Sequence, residues 1–131
     1  MSAEGALVHH ELCFGCGRTN LFGLLLEAER IESGALTGRC FIKQDHQGPD
    51  RGYAHEGIVA AALAEAMALA CGVDARAQAV TVGFIGKAPV GAFLELEAQI
   101  EEREEEVCTL TASAMSEGRA VARARGTYSQ S

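Results

Sequence analysis

The sequence predicts an α+β fold in which one buried helix lies on one face of an antiparallel sheet of about five to six strands. Between Ile58 and Ala70 the only polar side chain is that of Glu65, which is the pattern of a helix that other elements surround. Elsewhere apolar and polar residues alternate, as they do in strands with one solvated face. Two strand-like stretches precede the helix and three or four follow it, so strands are expected to cover it.

Size and composition indicate one domain, residues 1–131. Of the 131 residues 48% are hydrophobic, enough for a core, and the net charge of -7 argues against a nucleic-acid partner. No apolar stretch is long enough to span a membrane, and the start of the chain lacks the basic residues of a signal peptide. We therefore expect a cytoplasmic protein with no membrane partner. Its five cysteines, an odd number, suit free thiols better than a disulfide framework.

The first irregular segment runs from Cys13 to Leu24 and reads CFGCGRTNLFGL. Its glycines predict tight turns in an ordered loop. Cys13 and Cys16 have the spacing of half a zinc site, and His9 and His10 lie nearby, but no second pair of ligands follows in the sequence. On this shortage of ligands we expect no metal.

The elements up to the helix follow from turn residues and alternation. Residues 24–31 and 35–44 read as two strands that a turn at Gly34 joins. The segment DHQGPDRGYA, residues 45–54, is the longest irregular stretch and leads into the helix, which we place between His55 and Gly72. Loops beside a helix N-terminus often carry chemistry.

After the helix the sequence indicates a meander of strands. Residues 79–87 form the first, and residues 93–100 the second, with apolar side chains on one face and acidic or amide side chains on the other. The acidic run 101–106 is expected to be an exposed hairpin end rather than a binding site. Residues 107–115 and 120–128 complete the sheet, with the arginines of the last strand facing outward.

In this element order and in its motifs the chain resembles the hotdog-fold acyl-CoA thioesterases of the phenylacetate-degradation type. The stretches that carry the resemblance are CFGCGRTNLFGL, HQGPDRGYAHEGI, ALAEAM and KAPVG. At the start of the helix the family usually reads His-Gly-Gly-Ile, followed by Asp-Glu further on, and this chain has His55-Glu56-Gly57-Ile58 and then Ala64-Glu65. The resemblance implies a sheet curled around the helix and a site built between two subunits of a homodimer or a dimer of dimers. Coenzyme A would be part of the substrate, with no separate cofactor.

The resemblance also assigns catalytic roles. The backbone N–H of Gly57 would polarise the thioester carbonyl, and the family's helix carboxylate aligns with Ala64, which lies on the same helix face as Gly57. Glu65 points about 100° away from Ala64 around the helix. It remains the candidate for nucleophile or general base. Alternatively, it is a structural acceptor at a subunit contact.

The other candidates lie in the loop before the helix and in the turn after the next strand: His46, Gln47, Asp50, Arg51, His55 and Lys87. If Glu65 is not the base, His46, His55 or Asp50 would replace it, although a histidine before a helix often only shapes the turn. His46 and Gln47 resemble residues that line the acyl pocket. Arg51 and Lys87 suit CoA phosphates, unless they are ordinary surface cations.

Three functions are compatible with these residues. The first is hydrolysis of a small, medium-chain or aromatic acyl-CoA. The second is a non-hydrolytic or impaired acyl-CoA-binding protein, because Ala64 stands where the family has an acid. Hydratase or dehydratase chemistry is less favoured, since the chain has no clear hydratase motif.

Overall fold

The computed structural model describes residues 7–130. The elements follow one another as β1 (Glu27–Arg30), β2 (Leu36–Phe41), a short 3-10 helix (Gln44–His46), α1 (Glu56–Cys71), β3 (Ala75–Phe84), β4 (Phe93–Glu104), β5 (Val107–Ser116) and β6 (Arg119–Gln130). Residues 1–6, which belong to the start for which no signal peptide is expected, lie outside the described range. Within that range no helix is both long and apolar enough to cross a membrane.

The strands form one antiparallel sheet of six strands in the order β1-β2-β4-β5-β6-β3. β1 and β3 are therefore its two edges. The helix α1 contacts all six strands, which a flat sheet would not permit, so the sheet curls around the helix. This arrangement confirms the predicted hotdog architecture and fixes the number of strands at six.

The alternation in β4 has the predicted consequence. Leu94, Leu96 and Ala98 are buried, while the residues between them are exposed. The acidic run ends this strand in a turn at Glu105 and Glu106, and β5 begins at the next residue. The run is thus the exposed hairpin end that the sequence predicted.

Several strand boundaries differ from the prediction, and the starts of β1 and β3 show the reason. Leu24 and Leu26 do not belong to β1, because their N–H groups donate to the carbonyl groups of Phe14 and Gly15 in the N-terminal loop, at 2.7 and 2.8 Å. β3 begins at Ala75, earlier than expected, because it pairs with the end of β6 and passes an irregularity after Ala77. In both cases a distant partner decides where the strand starts.

The helix α1 has the predicted ends, with His55 before its first residue and Gly72, at φ 153°, after its last. The prediction that it is buried on all sides is wrong. Large side chains such as Leu63 and Met67 have no exposure to solvent on the sheet side, whereas Ala61, Ala64 and Glu65, further around the helix, are only half-buried. One sheet can cover only part of a helix surface, and the small residues on the other side leave space.

Replacing Leu63 with Ala should lower the free energy of unfolding by about 3 to 5 kcal/mol, because the side chain is fully buried and leaves a cavity. Leu21→Ala is the matched control, since Leu21 is 75% exposed, and we expect a change within about 0.5 kcal/mol. Denaturant unfolding monitored by circular dichroism measures both. Similar losses in the two variants would contradict the core described above.

Candidate functional site

The first turn of α1 carries a backbone donor that a side chain covers. The Nδ1 atom of His55 accepts a hydrogen bond from the Gly57 N–H at 2.7 Å, and the His55 carbonyl accepts the N–H of Ile58 at 2.9 Å. His55 is therefore the N-cap of the helix. Both His55 and Gly57 are exposed, so the imidazole can be displaced. The donor predicted to bind an oxyanion is occupied in this structure, but only by one exchangeable hydrogen bond.

The loop before the helix is held against the turn that follows β3. The His55 N–H donates to the His46 carbonyl at 2.8 Å, and the Ala54 N–H donates to the Ala88 carbonyl at 2.9 Å. Further along, the Val90 N–H donates to the Gly52 carbonyl at 2.9 Å. These bonds bring the polar residues of the loop next to the N-terminus of α1.

His46 is buried and serves this loop as a neutral acceptor. Its Nδ1 accepts the Lys43 N–H at 3.0 Å, and its Nε2 has no hydrogen-bond partner among the described residues. Burial lowers the pKa of His46, and the nearby charge of Lys43 lowers it further. The side chain therefore braces the short 3-10 helix, and its free nitrogen faces the interior.

Of the other predicted residues, Gln47 holds the loop closed, whereas Asp50, Arg51 and Lys87 are exposed charges. Gln47 accepts the Gly52 N–H at 2.7 Å through Oε1, which closes the loop. The carboxylate of Asp50 lies 3.1 Å from Lys87 Nζ, and both side chains are more than half exposed. Such a pair contributes less than about 1 kcal/mol to stability and can open easily. Arg51 is exposed beside it.

A cavity of about 640 Å³ lies between the N-terminal loop, the open face of α1 and the beginning of β3. Its walls include His9, His10, Cys13, Phe14, Gly15, Ala61, Ala64, Glu65, Ala68, Val73, Asp74, Ala75, Arg76, Ala77 and Tyr128. Of the predicted site residues, only Ala64 and Glu65 line it. The seven steps from Gly57 to Ala64 span roughly 10 Å of helix, so the loop residues gather at one end of α1 and Glu65 lies further along. A second cavity, about 590 Å³, has no predicted site residue in its walls.

Glu65 is engaged by the N-terminal loop. Its Oε2 lies 2.8 Å from His9 Nδ1 and accepts a hydrogen bond from the Cys13 thiol at 3.4 Å. The side chains of His9 and Glu65 are 15% and 14% exposed. The loop backbone passes so close at Gly15 that a Cβ atom there would clash with the carboxylate. A carboxylate with these partners is not a free general base.

Ala64 contributes a methyl group to the cavity wall and a backbone acceptor. Its carbonyl accepts the hydroxyl of Tyr128 at 2.7 Å. Burial raises the pKa of Tyr128, and the charge of Glu65 raises it further. Tyr128 was not predicted as a site residue, because nothing in the alternating pattern of β6 distinguishes it from a core tyrosine.

The expectation that Cys13 and Cys16 hold no metal relied on a shortage of ligands, and that premise is wrong. One donor atom each from His9, Cys13, Cys16 and Glu65 lies within 4.8 Å of all the others. The sequence count missed the fourth donor because α1 supplies it from far along the chain. The signal that could have revealed it is the single carboxylate of an otherwise apolar helix.

Solved structures of a thioesterase superfamily protein and of phenylacetic acid degradation proteins share this fold. One is a thioesterase superfamily protein, 16% identical, with a TM-score of 0.82 over 92% of this chain and 61% of that one. The PaaI protein from the phenylacetic acid degradation operon of E. coli is 20% identical, with a TM-score of 0.73 over 82% of this chain and 84% of its own. A variant of PaaI from Thermus thermophilus is 25% identical, with a TM-score of 0.73 over 81% and 93% of the two chains.

These similarities confirm, at the level of the fold, the resemblance to thioesterases of the phenylacetate-degradation type that the motifs predicted. This chain spans only 61% of the length of the thioesterase superfamily protein. No protein-family model matches the sequence, and no curated protein matches it.

The lowered pKa of His46 predicts a pH dependence of stability. The unfolded chain binds a proton at this histidine near pH 6.5 and the folded chain only at a lower pH, so acidification through that range destabilises the fold. The slope from this group is at most about 1.4 kcal/mol per pH unit. Denaturant unfolding between pH 7.5 and 5 should show a shallower pH dependence in His46→Gln than in the wild type, and equal slopes would contradict the assignment.

Proposed function

We propose that the protein is a thioesterase that hydrolyses a small, medium-chain or aromatic acyl-CoA. The observation that carries this proposal is the exposed Gly57 N–H at the start of α1, covered only by the His55 imidazole. The first N–H groups of a helix lack intrahelical partners and lie at the positive end of the helix dipole. They suit the negative charge that develops on a thioester oxygen.

In the first step the substrate carbonyl oxygen replaces His55 Nδ1 as the acceptor of the Gly57 N–H. The exchange costs little, because one hydrogen bond to an exposed imidazole is traded for another. As water attacks, the oxygen gains negative charge, and its hydrogen bond with Gly57 strengthens. The donor therefore stabilises the transition state more than the bound substrate.

We assign the general base to His55 rather than to Glu65. The His55 Nδ1 atom is 2.7 Å from the Gly57 nitrogen, so once displaced it remains beside the reacting carbonyl. Glu65 is about two turns further along and is held by His9 and Cys13. The displaced imidazole takes a proton from water as the water oxygen bonds to the carbonyl carbon. The C–S bond then breaks, the proton passes to the CoA sulfur, and the acyl group leaves as its acid.

Substrate binding follows from the surroundings of the N-terminus of α1 and of its open face. Arg51 and Lys87 on the exposed loop would bind CoA phosphates, with the weak Asp50 contact giving way to the phosphate. His46 and Gln47 keep the loop in place. The acyl group would lie along the small residues of the open helix face, where Ala64 forms part of the wall of the 640 Å³ cavity.

The assembly we propose is a homodimer or a dimer of dimers. β3 is an edge strand of ten residues, so one side of its backbone has no partner strand within residues 7–130. Phe84 at its end is 48% exposed, and Ile85 beyond it is 57% exposed. A long edge strand with exposed apolar residues favours pairing with a second copy. The free thiols of the chain suit a reducing compartment such as the cytoplasm.

A second candidate function rests on Ala64. A methyl group stands where the family has a carboxylate, and it leaves the pocket intact while removing an acid. A protein that binds acyl-CoA without hydrolysing it would have this arrangement.

A hydrolysis screen with short-chain, medium-chain and aromatic acyl-CoA esters tests the function, and His55→Asn tests its mechanism. Asn still caps the helix but cannot take a proton, so turnover should fall by about a hundredfold or more while stability is kept. His55→Ala should lose turnover similarly and also lower the free energy of unfolding by about 1 kcal/mol.

Glu65→Gln separates the two possible bases. It should reduce turnover much less than His55→Asn, and the reverse order would return the catalytic role to Glu65. A wild type that binds acyl-CoA without hydrolysis, together with an Ala64→Asp variant that hydrolyses it, would establish the binding protein instead.

Sedimentation velocity over a dilution series tests the assembly. At micromolar concentration we expect a dimer or tetramer, because the edge of β3 has no partner strand within residues 7–130 and a second copy would supply one. A sedimentation profile that shows monomer alone across the series would overturn it.

A further inference from the structure

The N-terminal loop and α1 together form a cluster of donor atoms that the proposed hydrolysis does not use. Nδ1 of His9 lies 2.8 Å from Glu65 Oε2, 3.4 Å from Cys16 Sγ and 3.6 Å from Cys13 Sγ. The Cys13 sulfur is in turn 3.4 Å from Glu65 Oε2. All four donor atoms lie within 4.8 Å of one another.

These separations are close to the edges of a tetrahedron around zinc. With zinc–sulfur bonds of about 2.3 Å and zinc–nitrogen or zinc–oxygen bonds of about 2.0 to 2.2 Å, ligand atoms lie about 3.3 to 3.8 Å apart. The contacts that involve sulfur, at 3.4 to 3.6 Å, fall in this range. Of these four distances, the one between His9 and Glu65 must increase, by roughly half an ångström.

The donor types also select the metal. Two thiolates, one imidazole and one carboxylate are all ligands that zinc accepts, whereas the three sulfur and nitrogen donors exclude calcium and magnesium, whose ligands are oxygen. Four protein ligands fill a tetrahedron, so no position is left for water. The site would be structural rather than catalytic.

Hydrogen bonds and a tight turn within the N-terminal loop bring its donor atoms close together. The Gly17 N–H donates to the Cys13 carbonyl at 2.8 Å, and the His9 N–H donates to the Cys16 sulfur at 3.1 Å. At Gly17 a Cβ atom would clash with the backbone of Glu11, so the tight turn after Cys16 requires glycine. Cys16 is fully buried, and the other three ligands are half-buried.

We propose that His9, Cys13, Cys16 and Glu65 bind one zinc ion that fastens the N-terminal loop to α1. Zinc would bind the two cysteines as thiolates, so its binding would release their protons. This zinc site goes beyond the proposed function, because zinc binding does not depend on hydrolysis.

The test uses the full untagged chain, stripped with a chelator in reducing buffer and then titrated with zinc chloride. Elemental analysis after removal of excess metal should give close to one zinc per chain, and zinc should raise the melting temperature, since it binds only the folded site. Cobalt(II) in place of zinc should give the intense absorption of a tetrahedral thiolate complex.

His9→Gln and Cys13→Ser should lose the zinc and the cobalt spectrum, and Glu65→Gln should at least weaken binding. His10→Gln is the matched control, because His10 is exposed, lies outside the cluster and accepts the Leu12 N–H through a nitrogen that Gln can replace. It should keep one zinc per chain.

The proposal is wrong if the wild type holds no zinc, or if the wild type and the ligand variants hold equal amounts of it. Should a ligand variant fail to fold, the cobalt spectrum of the wild type decides alone, and a spectrum without thiolate absorption refutes it. None of these measurements depends on turnover, so an inactive chain that binds zinc contradicts only the proposed hydrolysis.

Discussion

The packing of α1 into the curled sheet is the interaction on which the other features of the molecule depend. Leu63, Met67 and Leu69 have no solvent exposure, and burying side chains of this size contributes about 1.5 to 3 kcal/mol each. The helix reaches all six strands, so its position also fixes their curvature. Because the large side chains face the sheet and small ones face away, the helix has a packed side and an open side.

The open side explains the position of the N-terminal loop. A carboxylate on an apolar helix is costly unless it finds partners, and the loop supplies them to Glu65 through His9 and Cys13. Gly15 permits the close approach, since any larger residue would meet the carboxylate. The same contacts form one wall of the cavity beside Ala64, so the shape of that cavity depends on the loop as much as on the helix.

Two parts of α1, its N-terminus and its middle, offer two different kinds of chemistry. The N-terminus of α1 offers a backbone donor with a histidine beside it, and the middle of the helix offers a carboxylate among sulfur and nitrogen donors. The resemblance in the helix motif implied a helix donor working with a helix carboxylate at the position of Ala64. Here Ala64 interrupts that combination, and the neighbouring Glu65 is turned toward the loop, which is why we assign proton transfer to His55.

The sequence by itself determined the features that local patterns encode. The ends of α1 at His55 and Gly72, the two faces of β4 and the acidic hairpin end all follow from periodicity and turn residues, and the structure has them where they were predicted. The motif at the start of the helix also identified Gly57 and His55 as neighbours. What the sequence did not contain was the hydrogen bond between them, which depends on the rotamer of the imidazole.

Only the tertiary structure decided the starts of β1 and β3, the open side of α1 and the partners of Glu65. Strand ends depend on which distant backbone accepts their hydrogen bonds, as Leu24 and Leu26 show by pairing with the N-terminal loop. The convergence of His9, Cys13 and Cys16 on Glu65 likewise joins positions that are far apart in the chain. Residue spacing predicts contacts within one element, whereas contacts between elements depend on how the whole sheet closes around the helix.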